Sequence, residues 1–226
     1  MGYSKSIPAR NVSLFFWTRI KAFFIRPAII LLLLMGCVAG GKAPIIIDQY
    51  ILEYPPPALE GLQPLNQVVS VGRFAVAQAF NTPMMVYRTR PYEYYTDYYN
   101  RWRVNPGDMV TDYLLRDLKR SGLFKAVFSY RDTEDARFFI QGGVEDFLGN
   151  KEDGKNEAVL TVYISLLDTT QKDITKRVVF QKRYRHVQHL DDDSAVSLAK
   201  GMSEAMGVVS KEALKDIYAF TGQFKP

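Results

Sequence analysis

The only cysteine, Cys37, closes an uninterrupted apolar run, residues 28–35, and that run is too short to cross a membrane. Eight residues of helix reach about 12 Å, against the roughly 30 Å of a hydrocarbon core. Ahead of it, residues 10–26 mix Phe15, Phe16, Trp17, Phe23 and Phe24 with Arg19, Lys21 and Arg26. A basic segment, a short apolar segment and a small residue before the cysteine are the parts of a secretory signal peptide. What folds is then the chain that follows, and it folds without covalent staples. One cysteine excludes an intramolecular disulfide and a cysteine-rich zinc site.

Leu34, Met35, Gly36 and Cys37 resemble a bacterial lipobox, with an aliphatic residue three before the cysteine and a small one just before it. Such a box implies cleavage between Gly36 and Cys37, a diacylglyceryl group on the Cys37 thiol and an acylated new amino terminus, with palmitate the expected fatty acid. At about 0.8 kcal/mol per buried methylene, several acyl chains hold a protein at its membrane far longer than a single myristoyl chain does. Val38, rather than Asp, follows the cysteine, so outer-membrane export is the expected default. The plainer alternative is an incidental cysteine ending an ordinary signal segment. On the lipoprotein reading, residues 1–36 are a signal peptide, 37–46 a lipidated tether and 47–222 the folded domain.

Charge narrows the partners. The net charge of +5 resides in the leader: Lys5, Arg10, Arg19, Lys21 and Arg26 precede residue 37, where no Asp or Glu occurs. From Cys37 onward, 24 basic residues face 24 acidic ones. A neutral body lacks the broad positive field that binds nucleic-acid phosphates.

The domain reads as strands around two helices. Residues 45–54 are rich in β-formers and end at Pro55, Pro56 and Pro57, which predicts a first strand there. Strands follow over 68–76 and 84–88. Asn105, Pro106 and Asp108 then predict a helix start, and Gly122 its end. Val110, Leu114 and Leu118 form the apolar stripe of that helix, flanked by Met109 and Tyr113, with Thr111, Asp112, Arg116 and Lys119 facing water. Further strands are expected over 124–130, 137–147, 157–167 and 177–187, with a hairpin loop over 149–156 and a bulge at Gly142 and Gly143. A long amphipathic helix opens at Asp193 and runs to Ala219, with Val196, Leu198, Ala199, Met202, Met206, Val209, Leu214 and Ile217 on its apolar side. The expected fold is an α+β layered sandwich: a mixed sheet with a mid-chain helix and a long C-terminal helix.

Catalytic patterns are sparse. The two histidines, His186 and His189, are placed at a strand end or just after it, and the Asp191, Asp192 and Asp193 run reads as negative charge ahead of a helix. Glu145 with Asp146, and Glu152 with Asp153, are expected to point in alternating directions into solvent. No HExxH, GxSxG or Walker sequence occurs. No metal or catalytic residue is assigned. The only cofactor-like group expected is the covalent lipid on Cys37.

The unusual stretch is 85–102, where Tyr87, Tyr92, Tyr94, Tyr95, Tyr98, Tyr99 and Trp102 supply seven aromatics in eighteen positions. Aromatics fall on both parities from Tyr92 on, so periodicity chooses no buried face. A central strand covered on both sides is one reading. An exposed aromatic contact surface for an apolar ligand, membrane or protein is the other. For the second, Tyr92, Tyr94, Tyr95, Tyr98 and Trp102 are the candidates, although Trp102 with Arg101 also suits a place between the sheet and the following helix.

With the lipobox, the strand Tyr50-Ile51-Leu52, the block from Val86 through Tyr95 to Arg101-Trp102, and Pro106, Leu114, Leu118, Ser121-Gly122 and Phe124, the chain resembles the ABC-type transport auxiliary lipoproteins, the family of paraquat-inducible protein C. The resemblance covers roughly residues 47–220. It implies a fold similar to the amino-terminal domain of TolB. It further implies a non-enzymatic outer-membrane lipoprotein facing the periplasm of a Gram-negative bacterium. Its partners would be an ABC permease with its ATPase, a mammalian-cell-entry-type protein and further copies of itself, moving lipids or other hydrophobic compounds between membranes. A structural or assembly lipoprotein without a transport role, and a periplasmic enzyme, are the alternatives.

Overall fold

The computed structural model describes Gly2 and residues 44–224. The signal segment, Gly36 and Cys37 lie outside the described residues. The chain divides into the units Met1–Ile45 and Ile46–Pro226, and the fold below is that of the second.

Among the described residues, nine strands form one mixed, curled sheet built around β7 (Phe138–Asn150). Along one edge, β7 pairs over its whole length with the antiparallel β8 (Glu157–Asp168), which in turn pairs with β9 (Val178–His189). The other edge of β7 is shared by three short parallel strands: β2 (Leu65–Val71), β3 (Ala75–Val76) and β4 (Met84–Arg90). Beyond β2 lies β6 (Phe124–Ser129). Beyond β4 lie β5 (Glu93–Trp102) and β1 (Asp48–Tyr50). Every residue from 158 to 166 in β8 is buried except Tyr163, which explains its nearly continuous apolar sequence: a strand covered on both faces has no solvent side to make polar.

The mid-chain helix forms where its end signals predict it. In α1 (Pro106–Ser121), the Asn105 side chain accepts from the Gly107 N–H at 3.0 Å, proline takes the first turn, and Gly122 ends the helix at φ 64°. Asn105→Ala is expected to cost about 1 kcal/mol, read as a lower urea midpoint at unchanged slope. Met109, Val110, Leu114 and Leu118 are buried as expected. Thr111 is a correction, since it is buried rather than facing water. Its hydroxyl accepts from the Phe74 N–H at 3.0 Å and donates to the Gly107 carbonyl at 2.7 Å, fastening α1 to the β2–β3 connection.

A single turn, α2 (Ile174–Arg177), leads into β9, and α3 (Ala195–Thr221) closes the fold against β8, β9 and α1. Its N-cap is Ser194, not Asp193: the Ser194 hydroxyl accepts from the Ser197 N–H. Leu198, Met202, Met206, Val209, Leu214 and Ile217 are core, while Val196 is 64% exposed. It sits in the first turn, before the helix meets the sheet.

Two further expectations are corrected. The first strand is limited to Asp48–Tyr50, because residues 51–57 leave the sheet and run across the two helices. Leu52 is buried there, its carbonyl accepts from the Tyr113 hydroxyl, and the Glu53 N–H donates to the Ser203 hydroxyl at 2.9 Å. Tyr54 reaches a buried carboxylate, Asp117 of α1, at 2.6 Å, and Ser210 of α3 donates to the same oxygen at 2.6 Å. Side-chain hydrogen bonds thus replace the strand ladder. The bulge of β7 falls between Val144 and Asp146, not at the glycines. Gly142 instead makes room for a neighbouring strand and ring: a Cβ there would lie 2.3 Å from the Tyr163 carbonyl oxygen and 2.7 Å from the Phe74 ring.

Candidate functional site: an exposed tyrosine hairpin

β4 and β5 form an antiparallel hairpin whose two strands have opposite characters. β4 is held inside, with Met85, Val86 and Tyr87 buried and the strand paired to the C-terminal end of β7 at Gly149 and Asn150. Arg88 adds a tie to Glu152 at 2.9 Å and accepts the Lys151 N–H on its carbonyl at 2.8 Å. β5 has β4 on one side, and on the other meets β1 only at Asn100, Arg101 and Trp102. Among the described residues, therefore, one backbone edge is open from Glu93 to Tyr99 and neither face is covered by a layer of the fold.

The tyrosines stand on this open segment. Tyr92, at the turn, has φ 64° and is 100% exposed, and Tyr94, Tyr95, Tyr98 and Tyr99 are each about half exposed. Tyr94 leans edge-on against buried Phe80 at 6.2 Å, and Tyr95 lies tilted beside buried Tyr87 at 6.3 Å. Among the described residues, none of these five hydroxyls has a protein hydrogen-bond partner.

A local distortion sets the direction of two rings. Between Met84, opposite Arg101, and Met85, opposite Asp97, β5 carries extra residues and bulges. The Asp97 carboxylate organises this bulge, accepting from the amides of Tyr99 at 2.8 Å and Asn100 at 3.1 Å and from the Asn100 side chain at 2.8 Å. Partial burial pulls its pKa up, but those hydrogen bonds outweigh it and hold the carboxyl below the usual carboxylate range. Arg101 lies over the Tyr98 ring at 4.6 Å and donates to the Tyr98 carbonyl at 3.0 Å.

Trp102 departs from the other candidates. It is 2% exposed and packs edge-on against Phe147 at 5.1 Å, so it is core and takes no part in the exposed surface. It lies where β1 returns alongside β5 and α1 is about to begin, so packing layers close over it. Tyr99 was missed as a candidate. The signal was present, since it shares the parity of Tyr95, and both parities of this segment are exposed.

The titratable residues singled out elsewhere do not converge. His186 and His189 both lie in β9, three residues apart, which directs them to opposite faces of the strand. Glu145 and Asp146 do not alternate: the bulge turns both toward Arg183, at 2.5 and 3.6 Å. Glu152 is paired to Arg88 rather than solvated. Among the described residues, no group of three or more His, Cys, Asp or Glu is placed to hold a metal ion, and no helix is long and apolar enough to cross a membrane.

Comparison with known proteins places this architecture. The sequence model of the ABC-type transport auxiliary lipoprotein component family matches residues 50–213. No curated protein matches the sequence. Among solved structures, a DUF330-family protein from Xanthomonas campestris is similar at a TM-score of 0.70 and 16% identity, over 78% of this chain and 98% of its own. A hypothetical protein from Chlamydia trachomatis is similar at 0.51 and 8% identity, over 69% and 98%. At such identities the likeness is one of fold, and the fold class is the mixed α+β arrangement expected from sequence.

Proposed function

The chain belongs to the ABC-type transport auxiliary lipoprotein family, and on that premise we propose that it is the outer-membrane, periplasm-facing component of an intermembrane transport system for lipids or other hydrophobic compounds. The observation that carries this reading is the extent of the family match: residues 50–213 take in β2 through most of α3. The lipobox at Leu34–Cys37 adds the means of attachment.

In this reading Cys37, freed by cleavage after Gly36, carries the lipid, and the domain acts by docking rather than by catalysis. An inner-membrane permease and its ATPase supply the energy. A mammalian-cell-entry-type protein delivers cargo toward the outer membrane, where this chain, alone or as several copies, receives it. Tyr92, Tyr94, Tyr95 and Tyr98, joined by Tyr99, form a contact surface, while Trp102 supports it from within. Exposed amphipathic rings on a rigid hairpin suit such a role, because tyrosine contributes apolar area at small entropic cost.

The test is gentle crosslinking in the native host, purification from the membrane fraction, and mass spectrometry of the Cys37 peptide and of captured proteins. The expected outcome is an acylated Cys37 peptide together with a mammalian-cell-entry-type protein or the permease. Acylation without either partner would favour an envelope lipoprotein with a structural role. An unmodified Cys37 would remove the anchor from the proposal.

A further inference from the structure

The place where the chain enters the domain identifies what the tyrosine hairpin faces. β1 runs parallel to the end of β5, with Asp48 opposite Asn100, so the polypeptide arrives along the hairpin's own edge. Ile46, two residues before β1, is 75% exposed. From Cys37 to Ile46 is nine residues of sequence, a leash of about 30 Å at full extension. A lipid on Cys37 therefore keeps this edge of the sheet close to a bilayer. On this same edge stand the five exposed tyrosines, their hydroxyls without a protein partner among the described residues.

The chemistry of the hairpin selects a depth. Tyrosine favours the boundary between hydrocarbon and water, where its ring is covered and its hydroxyl stays wet. The open backbone edge from Glu93 to Tyr99 rules out the hydrocarbon core, where unpaired N–H and C=O groups find no partners. At the interface the same groups meet water and headgroups. Arg88 and Arg90 are paired to Glu152 and Glu93, and Arg101 and Arg103 stand with Asp97 and Asp48, so the edge is balanced in charge and its seat at the interface rests on the rings and the open backbone. Addition of a partner's strand fits less well: Asp97 already occupies the amides of Tyr99 and Asn100, and a bulge there breaks the regular edge that strand addition requires.

We propose that the tip and open edge of the β4–β5 hairpin, with Tyr92, Tyr94, Tyr95, Tyr98 and Tyr99, rest in the headgroup region of the membrane to which Cys37 tethers the domain. This assignment rests on the lipid-anchor reading above. It gives the domain a fixed orientation on its membrane, and it leaves the faces remote from the hairpin for protein partners.

The test uses the processed, full lipoprotein carrying Tyr92→Trp, reconstituted in phosphatidylethanolamine and phosphatidylglycerol vesicles containing brominated phosphatidylcholine. Tyr92 is fully exposed, so the change perturbs no packing. Tyr130→Trp, just past the end of β6 at the far end of the strand order, is the control. Read as the difference from the parent protein, whose buried Trp102 emits in every variant, the expected result is a blue-shifted Tyr92→Trp emission that loses most of its intensity to the brominated lipid, with the control in a water-like environment and quenched by acrylamide instead. Equal, water-like emission at both positions would overturn the assignment. A blue shift without lipid quenching would overturn it in favour of a protein cover, either a partner or a second copy. Failure of the parent protein to associate with vesicles would overturn the anchor reading and, with it, this one.

Discussion

Asp117→Ala is expected to destabilise the domain by about 3 kcal/mol, because its carboxylate is fully buried and joins three segments far apart in sequence. One oxygen accepts from Tyr54 and Ser210, each at 2.6 Å. The other accepts from Arg116 Nε at 2.7 Å, while Arg116 Nη2 lies 2.7 Å from that oxygen without the angle of a directed hydrogen bond and contributes through charge. Burial, and then the hydrogen bond to Asp117, push the Tyr54 hydroxyl far above its ordinary pKa, so it remains a donor at any pH the fold survives. Alanine would leave two hydroxyls without their acceptor and the Arg116 guanidinium, which lies against the stacked Tyr54 and Tyr113 rings, without its counter-charge. The partial exposure of Arg116 puts the effect at the lower end of the range for a broken buried pair. For a domain of this size the melting temperature should fall by roughly 6–12 °C. Loss of less than about 1 kcal/mol would mean that desolvation of the carboxylate cancels its hydrogen bonds.

Trp102→Ala is expected to cost about 3–5 kcal/mol, the loss typical of a large aromatic removed from a packed core. Its ring fills the space beside Phe147, and its backbone N–H donates to the Pro83 carbonyl at 2.6 Å, at the junction of β1, β5 and the start of α1. Tyr98→Ala, four residues earlier on the same strand, should cost less than about 1 kcal/mol, since a half-exposed ring loses only its surface contacts with the Arg101 guanidinium and the Tyr99 ring. Urea denaturation of the two variants side by side separates packing from surface. Similar losses for both would mean that the tyrosine face is part of the core, and the contact role would fall.

Local signals were legible in the sequence where the chemistry is local. Asn105, Pro106 and Gly122 announce α1 because a cap, a fixed φ and a left-handed residue each act within one helical turn. The apolar run of β8 likewise reports a strand with two covered faces. Less legible were features set by what lies alongside. Nothing in residues 51–57 says that their hydrogen bonds go to Ser203 and Tyr113 instead of a neighbouring strand. Thr111 looks like a solvent residue until the β2–β3 connection packs on it.

Most of the element order, the α+β class and the aromatic density of residues 85–102 could be read along the chain, since propensity, periodicity and composition depend only on near neighbours, and the family could be read from its motifs. Which aromatics lie outside depends on the packed fold. Tyr92, Tyr94, Tyr95, Tyr98 and Tyr99 are exposed and Trp102 is not, because Trp102 packs on Phe147 of the central strand while, among the described residues, no element packs over the tyrosine segment. Burial of a side chain is settled by which distant segment arrives next to it, and alternation along a strand cannot encode that when both of its faces carry the same kind of residue.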